Sequence, residues 1–166
     1  RIPYQMSGGQ SFFDKPEIKD VIAYMRLISN PDDDPALIRA LTTPRRGVGA
    51  STLEKLGAYA GQRQKSLFAA AHEQGFQHQV QAAQLDPLLD FCQLITLLQQ
   101  RAQTEPAGPL AQDMLLAIGY EAWLYDSEEP RPAETKWKNV QDMIAWLDKK
   151  GREDGKSLIN LTQTIA

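Results

Sequence analysis

Thr43-Pro44-Arg45-Arg46-Gly47-Val48-Gly49-Ala50-Ser51-Thr52-Leu53 is the stretch on which the reading of this chain turns. One apolar residue stands between two glycines, and a helical pattern begins directly after them. Glycine opens turn conformations that a Cβ closes, and it leaves main-chain N–H groups uncovered. A helix start adds its own unpaired N–H groups and the positive end of its dipole. Arg45 and Arg46 stand immediately upstream. The combination suits a phosphate, and the repeating phosphates of a nucleic-acid backbone are the obvious source. The plain alternative is an ordinary turn between two helices, because proline, arginine and glycine are common loop residues.

Charge around the bend bears on that choice. Arg45, Arg46, Lys55, Arg63 and Lys65 face only Glu54 in sequence, within a chain of net charge −3. A local positive field in an acidic chain points to an anionic partner, although a solvated helix face also produces one. An apolar residue and glycine at a bend before a helix resemble a helix-hairpin-helix element, which grips duplex DNA without reading its sequence.

Outward from the bend the chain reads as helix after helix. Asp14, Pro16 and Glu17 are expected to cap a first helix, with Ile18, Val21, Ile22, Met25 and Ile28 at helical spacing and Asn30-Pro31 as its stop. Asp34-Pro35 starts a second helix that Thr43-Pro44 ends. The helix after the bend covers about residues 50–64. A short one opens at Ser66 and stops at Gly75, and residues 76–85 read as a loose, glutamine-rich connection that could hold some helix. Asp86-Pro87 is expected to restart a long helix to about residue 102. Another ends at Gly119, and residues 121–126 add a turn. Residues 127–132 read as an exposed loop. Trp137, Val140, Ile144 and Leu147 mark an amphipathic helix closing at Gly151, followed by a polar loop to Lys156 and a last helix from Ser157. Residues 2–9 alone read as a short strand, closed by Gly8-Gly9. The expected class is therefore all-α: an irregular multi-helix domain with a short N-terminal strand remnant and a helix-hairpin-helix-like turn.

Composition narrows the function. A chain of 166 residues buries roughly 70% of its unfolded surface and needs no staple. The lone Cys92 excludes an internal disulfide framework, and its apolar helical setting marks a buried structural thiol. There is no G-x-x-x-x-G-K-[ST] loop, no C-x-x-C and no H-E-x-x-H. His72 and His78 do not share a helix face, which argues against a metal site. Asp32-Asp33-Asp34 reads as one helix cap with two solvated carboxylates beside it. Trp123, Trp137 and Trp146 could stack on bases, but Trp137 and Trp146 fall in or near apolar stripes that point to core packing. No signal peptide or membrane-length apolar run is present, and neither end carries a closing element, so a piece of a longer, cytoplasmic protein is expected.

Two motifs carry a family likeness. Gly8-Gly9-Gln10-Ser11-Phe12-Phe13-Asp14-Lys15-Pro16-Glu17-Ile18-Lys19-Asp20 resembles the G-G-x-x-F-F-x-R-x-E-I-K-D segment of UvrD/Rep-type DNA helicases, and Ala23–Ile28 with Asn30–Asp34 continues in register. Thr43–Gly49 is similar to the T-P-x-R-G-I-G element of the same family, with Val48 for isoleucine. Lys15 stands where arginine is frequent, keeping the charge but losing the bidentate fork. Tyr120–Tyr125 and Lys138-Asn139-Val140 extend the likeness.

The resemblance implies an ATP-dependent 3′-to-5′ DNA helicase of bacterial cytoplasm and nucleoid. This piece would be its helical 2B subdomain over residues 19–166, with residues 1–18 the edge of motor domain 2A. ATP and Mg²⁺ would bind elsewhere in the longer protein, leaving no catalytic site, cofactor or metal here. In the family the 2B subdomain swivels, touches duplex DNA ahead of the fork and restrains unwinding. The expected partners are duplex DNA or a single-strand/double-strand junction and the motor domains, with no membrane. On the bottom-up reading, phosphate would be held by N–H groups of Gly47, Val48, Gly49 and Ser51, by a hydroxyl of Ser51 or Thr52, and by the charges of Arg45, Arg46 and Lys55. The alternative is a protein-docking module that regulates the motor without touching DNA. A free-standing helix-hairpin-helix glycosylase is disfavoured, because no base pocket with a catalytic carboxylate or lysine can be placed.

Overall fold

Helix α2, Pro16–Ser29, is buried on nearly every side, and much of the molecule is laid against it. Nine of its fourteen residues are buried, more than one apolar face requires. The structure is a computed structural model that describes residues 10–165. The strand expected at residues 2–9 lies outside the described residues. Those described contain eleven helices and no strand, so the chain is all-α. Before α2 comes α1, Gln10–Phe13; after it come α3, Asp34–Thr42, α4, Ala50–Arg63, α5, Leu67–Ala71, and α6, Gln74–Gln77. The chain continues with α7, Ala82–Arg101, α8, Ala107–Ile118, α9, Tyr120–Ser127, α10, Pro130–Asp154, and α11, Leu158–Ile165.

Helices α1, α3, α7, α10 and α11 pack on α2, and α8 packs on α10 from a further side. Helices α4, α5 and α6 form a smaller group tied through α5 to α3 and α7. One continuous core runs from Phe12 to Leu161. Each fully buried leucine or isoleucine in it contributes about 1.5–3 kcal/mol. Cys92 lies in this core, where burial pushes its thiol up to about 12. Trp146 is buried too, edge-on to Phe13 at 6.3 Å between ring centres.

Several helix boundaries differ from expectation, each for a local reason. Lys15, not Asp14, precedes α2, no side chain caps it, and Pro16 fills the first position, where a missing N–H costs nothing. Glu17 completes no capping box, because it is buried and accepts a hydrogen bond from Asn139 Nδ2 at 2.8 Å. Asp33, not Asp34, caps α3 by accepting from the Ala36 N–H at 3.1 Å. Its neighbours are not merely solvated. Asp34 Oδ1 accepts from the Leu67 N–H at 2.9 Å, and Asp32 Oδ1 from the Ser66 hydroxyl at 2.6 Å, so both close the start of α5.

The long helix starts before Asp86-Pro87: α7 begins at Ala82, within the connection at 76–85, and carries Pro87 inside it. Proline there forfeits one bond to the Ala83 carbonyl, which lies on an exposed first turn. The loop expected at 127–132 shrinks to Glu128 and Glu129, since α10 starts at Pro130. Helix α10 also runs through Gly151 to Asp154, where a loop was expected. Ion pairs Arg152–Asp148 at 2.8 Å and Lys150–Asp154 at 3.1 Å lie along that last stretch.

Small residues set how closely α8 and α10 approach. A Cβ built at Gly108 would lie 2.4 Å from Asp148 Cβ and 2.8 Å from its Cα, so α10 occupies that space. By contrast, Gly57 on α4 has nothing within 4 Å. Gly108→Ala should therefore destabilise the chain by about 1–3 kcal/mol through overpacking. Gly57→Ala should stabilise it by about 0.5–1 kcal/mol through backbone entropy alone. Urea unfolding of the two variants reads the opposite signs.

Candidate nucleic-acid interface

The bend occupies residues 43–49 between α3 and α4. Helix α3 ends at Thr42, Thr43 follows as its cap, and the Thr43–Pro44 peptide is cis. Gly47 has φ +85°, a conformation a side chain strains. Gly49 has φ −83° and immediately precedes α4, so its value lies in carrying no side chain. An apolar groove of about 400 Å³ lies between α3 and α4, lined in part by Ile38, Leu53 and Gly57.

The start of α4 is open. Gly47, Gly49, Ala50 and Ser51 are exposed. Among the described residues, no protein acceptor takes the main-chain N–H of any residue from Gly47 to Thr52. The first bonded amide of the helix is that of Leu53, on the Gly49 carbonyl at 3.1 Å. Arg45 and Lys55 are exposed beside these amides in sequence, and Lys55 Nζ makes a long contact of 3.4 Å to the Gln79 carbonyl. Val48 is half-buried against the core.

Two of the expected ligands sit elsewhere. Thr52 is 3% exposed, so its side chain belongs to the interior face of α4. Arg46 turns inward. Its Nη2 donates to the Tyr24 hydroxyl and to the Ala40 carbonyl at 3.2 Å, and its Nε donates to the Leu41 carbonyl at 3.3 Å. The guanidinium also lies over the Phe91 ring, 4.7 Å from its centre. The carbonyls at the end of α3 have no intrahelical donors, and a cation is favoured there. Burial lowers the Arg46 pKa, with Tyr24 opposing the shift. Burial also pushes the Tyr24 hydroxyl above its ordinary value.

Two further cations of the stretch are engaged at the far end of α4. Arg63 and Lys65 pair with Glu73 at 3.1 and 3.3 Å, and the Tyr59 hydroxyl donates to the same carboxylate at 2.8 Å. That hydrogen bond, with Lys65 and Arg63 behind it, holds the Glu73 carboxyl below its ordinary value. Of the five basic residues, Arg45 and Lys55 remain at the open helix start.

A family model described as UvrD-like helicase C-terminal domain matches residues 1–166. The chain belongs to that family. The ATP-dependent DNA helicase Rep of Salmonella typhimurium is 41% identical over 168 residues, 99% of this chain and 25% of that protein. Rep of Escherichia coli is 41% identical over 148 residues, 89% of this chain and 22% of its own length. The ATP-dependent DNA helicase PcrA of Bacillus subtilis is 34% identical over 142 residues, 86% and 19% respectively. The chain spans about a quarter of the length of the curated Rep relatives it matches. No helix among the described residues is long and apolar enough to cross a membrane.

In this UvrD-like domain, Glu17 and Asp20 of the first motif have interior work that sequence reasoning missed. Asp20 accepts from Arg39 Nε at 2.9 Å and from the Tyr120 hydroxyl at 2.7 Å. Arg39 Nη2 also donates to the Pro16 carbonyl at 3.1 Å. Burial, then the Asp20 charge, drives the Tyr120 hydroxyl far above its ordinary value. No signal in the sequence marks Arg46 over its neighbour Arg45 for the inward position.

The two glycines should respond differently to a methyl group. Gly47→Ala should cost about 1–2 kcal/mol, because alanine is strained at that φ. Gly49→Ala should be close to neutral for folding, since its φ is ordinary and nothing lies within 4 Å. Thermal denaturation of both variants measures the contrast.

Proposed function

We propose that this chain is the DNA-gripping and regulatory 2B subdomain of an ATP-dependent 3′-to-5′ DNA helicase. On this reading residues 19–166 form the subdomain and residues 1–18 the edge of motor domain 2A. Phe12 and Phe13, both buried, would then pin the seam between them. ATP and Mg²⁺ would act in the remainder of the longer protein, in a bacterial cytoplasm beside the nucleoid.

The observation that carries the reading is the open start of α4. Uncovered amides from Gly47 to Ser51, the helix dipole and the Ser51 hydroxyl make an anion cradle, helix-hairpin-helix-like in plan. Arg45 and Lys55 supply charge. Such contacts hold a phosphate and leave base sequence unread. With two free cations the log–log salt slope should be about −2, so this chain alone binds duplex weakly. Fluorescence anisotropy with a tailed duplex at low salt tests it. The double variant Arg45→Glu, Lys55→Glu should lose binding, and equal affinity of variant and native chain overturns the reading.

A second reading, docking onto the motor domains without DNA, is favoured by the groove between α3 and α4. Ile38 on its wall is 45% exposed, and Leu53 and Leu67 line it as well. If docking there regulates the motor, Ile38→Glu should change the unwinding rate of the longer protein. Duplex binding by this chain should stay as it was.

A further inference from the structure

Arg46 immediately precedes the strained-φ glycine of the bend, and its guanidinium reaches three separate elements. It meets the Tyr24 hydroxyl on α2, the Ala40 and Leu41 carbonyls at the end of α3, and the Phe91 ring on α7. Tyr24 is the hub of this set. Its hydroxyl accepts from Arg46 and lies 2.8 Å from both the Ala40 and the Thr43 carbonyls. Fixing the head of Arg46 restrains its Cα, and with it the peptide that leads into Gly47.

We infer that Arg46, Tyr24 and Phe91 form a strut that positions the Gly47–Ser51 amides for a phosphate without touching the nucleic acid. The inference rests on the reading of the bend as a DNA contact given above. One arginine thereby closes the C-terminal end of α3 and aims the N-terminal end of α4. The planar fork matters: it serves a hydroxyl and two carbonyls at once while stacking on a ring, which an ammonium group does not do. Arg46 is a positioning residue, and Arg45 beside it is a ligand.

The two roles leave different signatures. A lost ligand reduces the number of counterions released, and the salt slope falls by about 0.9 for one charge. A lost strut weakens binding at every salt concentration and leaves the slope alone. The test compares the native 166-residue chain with Arg45→Ala, Arg46→Met, Tyr24→Phe and Tyr120→Phe. The probe is a labelled tailed duplex titrated across a salt series, alongside amide spectra without DNA. Tyr24→Phe removes one hydroxyl and keeps the ring, so it serves if Arg46→Met fails to fold. Tyr120→Phe removes a comparable buried hydroxyl, one bonded to Asp20 instead of the bend, and controls for loss of stability alone.

Arg46→Met and Tyr24→Phe should each bind about 5-fold more weakly with the native slope, and shift the Gly47 and Gly49 amide signals. Arg45→Ala should lower the slope, and Tyr120→Phe should bind like the native chain. A slope lowered by about 0.9 in Arg46→Met makes Arg46 a ligand and overturns the strut. Native affinity in both strut variants, or equal weakening in Tyr120→Phe, overturns it as well. A native chain that binds no duplex at low salt overturns the underlying DNA reading first, and the positioning role with it.

Discussion

A charged or phenolic group on a helix enclosed by protein needs neighbours to satisfy it, and α2 carries three such groups, whereas the small Ser29 hydroxyl at its end is buried with no partner among the described residues. An unpartnered buried donor or acceptor costs about 1–3 kcal/mol, more if charged. Glu17 therefore needs Asn139 of α10, Asp20 needs Arg39 of α3 and Tyr120 of α9, and Tyr24 needs the end of α3. Apolar burial sets which face each of those helices turns inward. The polar pairs add fixed points between particular residues of neighbouring helices. They also explain why Glu17 and Asp20 of the family-like motif at Gly8–Asp20 are absent from any solvent-facing site: they organise the interior, while Asp14 stays exposed.

The bend inherits its shape from the same demand. The Tyr24 hydroxyl and the Arg46 fork gather carbonyls at the C-terminal end of α3, and the chain leaves that knot through Gly47 into α4. The positive charge counted along the sequence is divided accordingly. Arg46 is internal, Arg63 and Lys65 answer Glu73, and the cations at the open helix start reduce to Arg45 and Lys55. On the proposed DNA-binding reading, this smaller free charge would put the weight on amide geometry and the helix dipole, with long-range attraction a lesser term.

The all-α class, most joints between helices and the start of α4 were legible in the sequence, because they follow from period and from turn residues. Asn30, the Thr43–Gly49 stretch and Gly119 stop or separate helices where local chemistry says they should. Legibility failed where tertiary packing outweighed a local signal. Gly151 reads as a stop, yet α10 runs through it: a Cβ there would lie 3.3 Å from Ala107 Cβ, so α8 demands a small residue. Pro87 reads as a start, yet α7 begins a turn earlier and absorbs one missing hydrogen bond. Glu17 reads as a cap, yet its carboxylate is drawn to a residue far along the chain.

What the sequence by itself determined is the succession of helices, the family motifs, and the presence of a glycine-bracketed bend before α4. These depend on neighbours within a few residues, whose preferences act through local backbone conformation and periodicity. Only the tertiary structure decided which side chains at that bend face outward. Arg45 and Arg46 are adjacent and chemically identical, so no local rule separates them. The separation comes from Tyr24, distant in sequence, and Phe91, farther still, which build an interior socket that takes one guanidinium and leaves the other to solvent.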